Sequence, residues 1–546
     1  MNSRIKMKIK LLSVFILWLI LTPLHAQQIL NDSLLITPEK TNFEKTSTCK
    51  EVFQFLNQIQ KLSPNVSVFS MGTSLEGKPI PVAILANPPI KSALEAKLSH
   101  KMVIYVQGNI HAGEVEGKEA LLILMRDILL GNKKHLLDSQ IILFAPIYNT
   151  DANDKMAAGL RPSQENSPLE TGERESSQGY DLNRDGIKME AIETRSLFQN
   201  VIVPWDPQVF VDLHTTNGTW HAYPLTWAPS YHSAGEVSVF NYSYFKMLPQ
   251  ITKNVKEKYD LQFSVYGDYY LEQGWPPQNF YSYNHHPRYL VNQFGFRNRM
   301  AILSEAFAHN RFYERINSTY VFVAEILEYT NSHASEICKI NREADNLAML
   351  NVKNAKSKTI TKGVQFEMAP LDTIYNFRTY DYITSIDSNV KKNLFRTGKI
   401  VTFPKVTYHA KFMATVESRV PQGYIIPAEF TDVIENLKMH GVQVSKLSKK
   451  QNYNVETFYI DSLVYDKYTF QKHKAANAFG SFKFEKKAFN KGDYLIDLNQ
   501  PLANLIFYML EPQSDDGLLH WNFFDKAINN QPTKDSRKTY PVFKFY

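Results

Sequence analysis

The chain has 546 residues, 61 Lys and Arg against 54 Asp and Glu, a formal net charge of +7, 44% hydrophobic residues and two cysteines. That charge is too balanced to argue for a nucleic-acid partner, and Cys49 and Cys338 alone cannot build a cysteine-rich structural metal site. Beyond the N-terminus no stretch is long and apolar enough for a membrane helix, and no heptads or low-complexity repeats occur.

Arg4, Lys6, Lys8 and Lys10 precede an apolar run over residues 11–24 that is short for a bilayer span, the layout of a secretory signal with cleavage after Ala26. Removal of residues 1–26 would take away four positive charges and leave the mature chain near +3. The protein is thus expected to be exported, periplasmic or secreted, with no transmembrane anchor after cleavage. Export would permit a bridge between Cys49 and Cys338, which flank the central region, and two free thiols fit the sequence equally. Residues 48–62 carry the apolar spacing of a helix. Residues 66–72 and 80–85 flank Leu75-Glu76-Gly77-Lys78 in a strand–turn–strand pattern.

Residues 102–106 form a β-rich apolar run, Gln107-Gly108-Asn109 turns, and residues 117–130 read as a helix. Between turn and helix lies His111-Ala112-Gly113-Glu114. His-x-x-Glu alone is common, and His333-Ala334-Ser335-Glu336 repeats the spacing in a helix-like run with no strand before it, where it reads as a solvated helix end. The pair at 111 and 114 sits instead on a strand-to-helix loop, the end of an open α/β sheet where ligands collect. Further on, Gly179-Tyr180-Asp181-Leu182-Asn183-Arg184-Asp185 is a polar loop with a guanidinium whose planar fork suits a carboxylate. Residues 209–216 run as a largely apolar strand into His214, a candidate third ligand, and two His with one Glu leave the fourth position of a tetrahedral Zn²⁺ for water. His285 and His286 have no acidic partner at ligand spacing and read as structural or cleft-lining residues. Residues 300–306 form another apolar strand, which ends in Glu305, a candidate base for that water.

With these motifs in this order, the chain resembles the zinc carboxypeptidase family, which includes carboxypeptidase A, over roughly residues 43–335. The resemblance implies one Zn²⁺ per chain on His111, Glu114 and His214, a substrate-carboxylate clamp at Asn183 and Arg184, and Glu305 as general base. It makes Asp181 the acid that orients a ligand histidine. Arg161, downstream of Pro146-Ile147-Tyr148-Asn149-Thr150-Asp151, takes the oxyanion-stabilising role, with Arg174 as the alternative. For the substrate-binding tyrosine, spacing to Glu305 favours Tyr283 among those of residues 280–289. Leu290, fifteen positions before the base, corresponds to a pocket-setting residue and argues against a buried acid that selects Lys or Arg. The implied fold is α/β, a mixed sheet of the eight-stranded type flanked by helices.

Beyond residue 341 the composition changes to a Lys-rich polar stretch and then β-prone segments. The expected organisation is a catalytic domain over residues 43–340 and a smaller β-rich α+β accessory domain over 351–546. Within the latter, residues 421–427 and 430–440 suggest a strand-to-helix unit, and a helical pattern at 499–510 could pack on the catalytic domain. Glu511, Asp515 and Asp516 could bind a cation, but read first as a solvated turn. The expected function is an exported zinc-dependent metallocarboxypeptidase acting on peptides or proteins with a free C-terminal carboxylate. The alternatives are the same machinery acting on cell-wall stem peptides or other acyl-amino acids, and an inactive binding protein. Oligomeric state and the preferred terminal residue are not encoded in these patterns.

Overall fold

Eight strands between residues 66 and 306 join in one mixed sheet: β1 (Val66–Thr73), β2 (Pro79–Leu85), β3 (Met102–Gly108), β4 (Gln140–Ala145), β5 (Val209–Thr215), β6 (Leu225–Pro229), β7 (Ser264–Val265) and β8 (Met300–Ala306), in the order β1-β2-β4-β3-β5-β8-β6-β7. This is a computed structural model, which describes residues 34–216, 218–231, 235–386, 392–532 and 537–546; the expected signal, residues 1–26, lies outside them. The inner strands β4, β3, β5 and β8 are parallel and buried at every position, which is why they read as near-continuous apolar runs. Antiparallel pairing begins at β2 on one side and β6 on the other.

Helix α1 (Glu116–Leu129) leaves the end of β3 and packs back on the sheet. A Cβ on Gly117 would stand 2.7 Å from Leu213 Cβ, and one on Gly108 would stand 2.9 Å from the Gly117 backbone. Only glycine lets helix and strands approach this closely, and the approach seats residues 109–115 over the end of β5.

Helix α2 (Phe312–Asn354) breaks its helical geometry at His333 and then continues. Val321 and Phe322 belong to the core of the eight-stranded sheet, whereas Ala348 and Val352 belong to a second core built from the C-terminal region. One helix therefore crosses the stretch at which the sequence suggests a change of domain. After it, the strands Thr361–Ile386 and Lys392–Arg419 form a long antiparallel hairpin. Residues 407–409 of the hairpin pair in parallel with Asn279–Tyr281, and Phe377, Val406, Tyr408 and Ala410 join the core of the first sheet.

The remaining residues build an antiparallel seven-stranded sheet that includes Gly423–Ile426, the hairpin Gln451–Tyr465 with Ala476–Phe489, and Tyr494–Asp497. Helix Thr431–Met439 follows the first of these strands, as the sequence suggests. Helix Ala503–Leu510 is buried at every position and contacts α2, and its Tyr508 packs against Phe296 of the helix Leu290–Phe296. Cys49 and Cys338 are both free thiols. Among the described residues no helix is long and apolar enough to cross a membrane.

Candidate active site

Parallel pairing sets Glu305 of β8 directly beside His214 of β5, and Gly108, at the end of β3, beside Leu213. The loop after β3 then carries His111 and Glu114 over the same edge of the sheet. This is the carboxyl end of the strands, where side chains from several separate segments converge on one point.

Glu114 lies between two imidazoles. Its Oε1 is 3.0 Å from His111 Nδ1, and its Oε2 is 2.9 Å from His214 Nδ1. Each ring turns its other nitrogen to a further carboxylate: His111 Nε2 is 2.9 Å from Asp181 Oδ1, and His214 Nε2 is 3.1 Å from Asp212 Oδ2. Asp212 is itself held by Gln107, whose Nε2 donates at 3.0 Å. Both rings are therefore fixed with Nδ1 facing Glu114.

All three residues are buried, so the electrostatics are strong. Burial disfavours a charged His214, but Asp212 and Glu114 outweigh it and hold the imidazole well above its ordinary range. Burial likewise opposes charge on Glu114, yet His111 and Arg161 keep its carboxyl well below the usual carboxylate range. The arrangement favours positive charge between these donors. Two nitrogens and a carboxylate oxygen within 4.8 Å of one another, each imidazole backed by an acid, are the donor set of a catalytic Zn²⁺ site, and the residues fit that metal.

Both candidate arginines reach Glu114. Arg161 Nη1 donates to Oε1 at 2.9 Å, and Arg174 Nη1 is 3.5 Å from the same oxygen. Arg174 also donates through Nε and Nη2 to Asp181 Oδ2 at 3.1 and 2.9 Å. Of the two, Arg174 lines the cavity that opens over the ligands. Arg161 lies against Gly113, where a Cβ would come within 2.6 Å of its Cγ.

The cavity, of about 150 Å³, has His111, Glu114, His214 and Glu305 on one side and Asn183 and Arg184 on another. Asp181 organises that second wall by accepting from Asn183 N at 2.9 Å, and Asn183 Oδ1 accepts from Leu290 N at 3.0 Å. The Arg184 guanidinium stands 4.6 Å over the Tyr289 ring, and its Nη1 donates to Asn183 O. Glu305 is 8% exposed; burial, opposed by His214 and reinforced by Glu114, pushes its carboxyl up to about 8.

Spacing favours Tyr283 as the substrate-facing tyrosine, and its ring does line the cavity, but its hydroxyl donates inward to Pro229 O at 2.9 Å and Asn292 Oδ1 at 3.0 Å. Tyr289, which also lines the cavity, lies with its ring under the Arg184 guanidinium. Leu290 is fully buried, and Val291 and Leu303 take the lining positions.

Two contributions escape the sequence reading. Asp212 stands two residues before His214 in an otherwise apolar strand, so the two-residue period already puts both on one face. Gln471 gives no such signal: it comes from the turn of the Gln451–Tyr465 and Ala476–Phe489 hairpin and accepts from Asp181 N at 3.0 Å. Its neighbour Lys472 donates to Gln178 O and lies 3.7 Å over the Tyr180 ring. The reading of Glu511, Asp515 and Asp516 as a solvated turn requires correction. Glu511 is buried on Lys544 and Tyr424, Asp516 is buried on Arg288 and Trp521, and Asp515 accepts from Tyr508 and Phe366. His333 faces its own helix, with Nδ1 2.8 Å from Tyr329 O, and Glu336 pairs with Lys246.

Comparison with known proteins follows the same lines. Residues 52–292 match the family model described as zinc carboxypeptidase; Glu305 lies beyond the matched span. The chain is 22% identical over 498 residues to Carboxypeptidase 2 of Trichophyton equinum, an alignment covering 86% of this chain and 81% of that one. Among solved structures it is similar to a metallo-carboxypeptidase from Burkholderia cenocepacia (TM-score 0.38, 16% identity, 52% of this chain and 69% of that one). It is also similar to carboxypeptidase A from Helicoverpa armigera (TM-score 0.38, 13% identity, 54% and 78%).

Proposed function

We propose that this chain, which belongs to the zinc carboxypeptidase family through residues 52–292, is an exported metallocarboxypeptidase that hydrolyses the last peptide bond of substrates with a free C-terminal carboxylate. The observation that carries this reading is the convergence, at one cavity, of a His–Glu–His donor set, a buried carboxyl and a guanidinium from four different segments. His111, Glu114 and His214 would hold the zinc, which when bound supplies Lewis acidity toward the scissile carbonyl and acidifies water. Asp181 and Asp212 keep both imidazoles in the ligating orientation.

Arg184 and Asn183 bind the substrate's terminal carboxylate, and the Tyr289 face supports the guanidinium. Glu305 takes the proton from the attacking water and delivers it to the leaving amine nitrogen. Arg174, on the cavity wall, donates to the oxygen that gains negative charge, while Arg161, the residue indicated by motif order, steadies Glu114 from behind. Residues 43–340 form the catalytic unit, and the region over 351–546 serves as its wall: Gln471 and Lys472 brace the loop that carries Asp181, Asn183 and Arg184.

Besides the donor set, base and clamp, the cavity lining includes Tyr266, Val291 and Leu303, and among the described lining residues Glu114 and Glu305 are the carboxylates. An apolar terminal residue gains burial there, and a basic one meets no counter-charge. Zinc-loaded protein assayed on N-blocked dipeptides is expected to give kcat/KM at least about tenfold higher for terminal Leu or Phe than for Lys or Arg. A diaminopimelate-containing peptide, the substrate of the cell-wall alternative, is expected to be poor for the same reason. Preference for the basic or diaminopimelate peptides would overturn this assignment.

A further inference from the structure

Where residues 282–289 meet the C-terminal region lies a second group of metal-ligating side chains that the chemistry above does not use. His285 and His286 come from the catalytic unit and Asp515 from the far end of the chain, and one ligand atom of each falls within 4.8 Å of the others. His285 Nε2 is 3.3 Å and His286 Nε2 4.0 Å from the same oxygen, Asp515 Oδ2. Ligands on one tetrahedral Zn²⁺ stand about 3.3 Å apart, so the first pair already has that separation and the second needs an adjustment of about 0.7 Å.

The surroundings favour an ion over a simple histidine–aspartate pair. His285 is 1% exposed, and among the described residues neither of its ring nitrogens makes a hydrogen bond, although Nε2 points at Asp515. The rings of Phe366 and Phe412 pack on it at 4.7 and 4.8 Å and exclude water from that side. Asp515 is held in place by the Tyr508 hydroxyl and by Phe366 N, which donates to Oδ2 at 3.1 Å. The nearby cation Arg288 is matched by Asp516 at 2.7 Å, which leaves the Asp515 charge for a ligand. His286 and Asp515 are about one-fifth exposed, so solvent reaches the group and water can complete the coordination.

We propose that His285, His286 and Asp515 bind a second divalent cation, of the zinc class, that fastens the segment bearing Tyr283 and Tyr289 to the C-terminal region. Two imidazoles and one carboxylate suit Zn²⁺, Co²⁺ or Ni²⁺ and disfavour Ca²⁺ or Mg²⁺, which prefer all-oxygen sites.

The test counts metal. Full-length protein is stripped with chelator, reloaded with Zn²⁺, gel-filtered and analysed for metal content as wild type, His111→Ala and His286→Asn. The expected result is about two zinc per chain in wild type and about one in each variant. Because the two variants empty different sites, loss of zinc only in His286→Asn would count against the His111 site and support this one. A wild-type content of about one zinc that His111→Ala abolishes, or a His286→Asn content equal to wild type, overturns the proposal. Should His286→Asn fail to fold, Co²⁺ added to His111→Ala decides: ligand-field absorption bands with about one equivalent bound support the site, and their absence overturns it.

Discussion

Glu305→Gln is expected to lower kcat by about 10²–10⁴-fold with zinc content unchanged. Glutamine has nearly the same shape but cannot accept the proton of the attacking water, so the substitution removes the transfer while leaving the wall of the cavity in place. Two side effects oppose any structural explanation of the loss. The Glu305 carboxyl is buried and pushed up to about 8, so a neutral amide is no harder to bury than the native group. Glu305 also lies outside the donor set, so the substitution leaves His111, Glu114 and His214 in place to hold the metal. Steady-state rates, metal analysis and a thermal melt on one preparation check all three points. A fall in kcat smaller than about tenfold would show that Glu305 is not the base.

Arg184→Ala is expected to cost about 2–5 kcal/mol in kcat/KM on free peptides, roughly 30-fold to several thousandfold, and little on amidated ones. The guanidinium is the charged group on the clamp wall, and removing it leaves a substrate carboxylate desolvated without its counter-charge. Loss of stacking on Tyr289 contributes about 0.5–2 kcal/mol, so the carboxylate term is expected to dominate. Arg184→Lys restores charge without the planar fork and should recover only part of the loss. Equal loss on free and amidated peptides would instead indicate collapse of the loop that Asp181 organises.

Much of the site was legible because buried parallel strands read as apolar runs, so the first charged or imidazole side chain at a strand end stands out: His214 on β5 and Glu305 on β8. The His111–Glu114 pair was legible from the strand–turn–helix setting that Gly108 and Gly117 permit. Asp212 is readable in principle from the two-residue period that puts it on the face of His214. The tyrosine is ambiguous in sequence, because Tyr283 and Tyr289 both line the cavity, and they are separated by the inward hydrogen bonds of Tyr283 and the packing of Tyr289 under Arg184. Gln471, and the pairing of Asp515 with His285, lie beyond sequence reasoning, since each contact is made by tertiary packing of segments far apart in the chain. The long hairpin after α2 hid its attachment for a related reason: few of its residues are buried, and Phe377 and Tyr408 enter the first core only because Asn279–Tyr281 pairs with it.

The central claim is that this chain removes C-terminal residues with a requirement for a free carboxylate. It is tested most directly by incubating zinc-loaded wild-type protein with pairs of peptides identical except for a free or amidated C-terminus and measuring amino-acid release. Release from the free member of each pair alone is the predicted result. Equal release from both members, or none from either, would contradict the account.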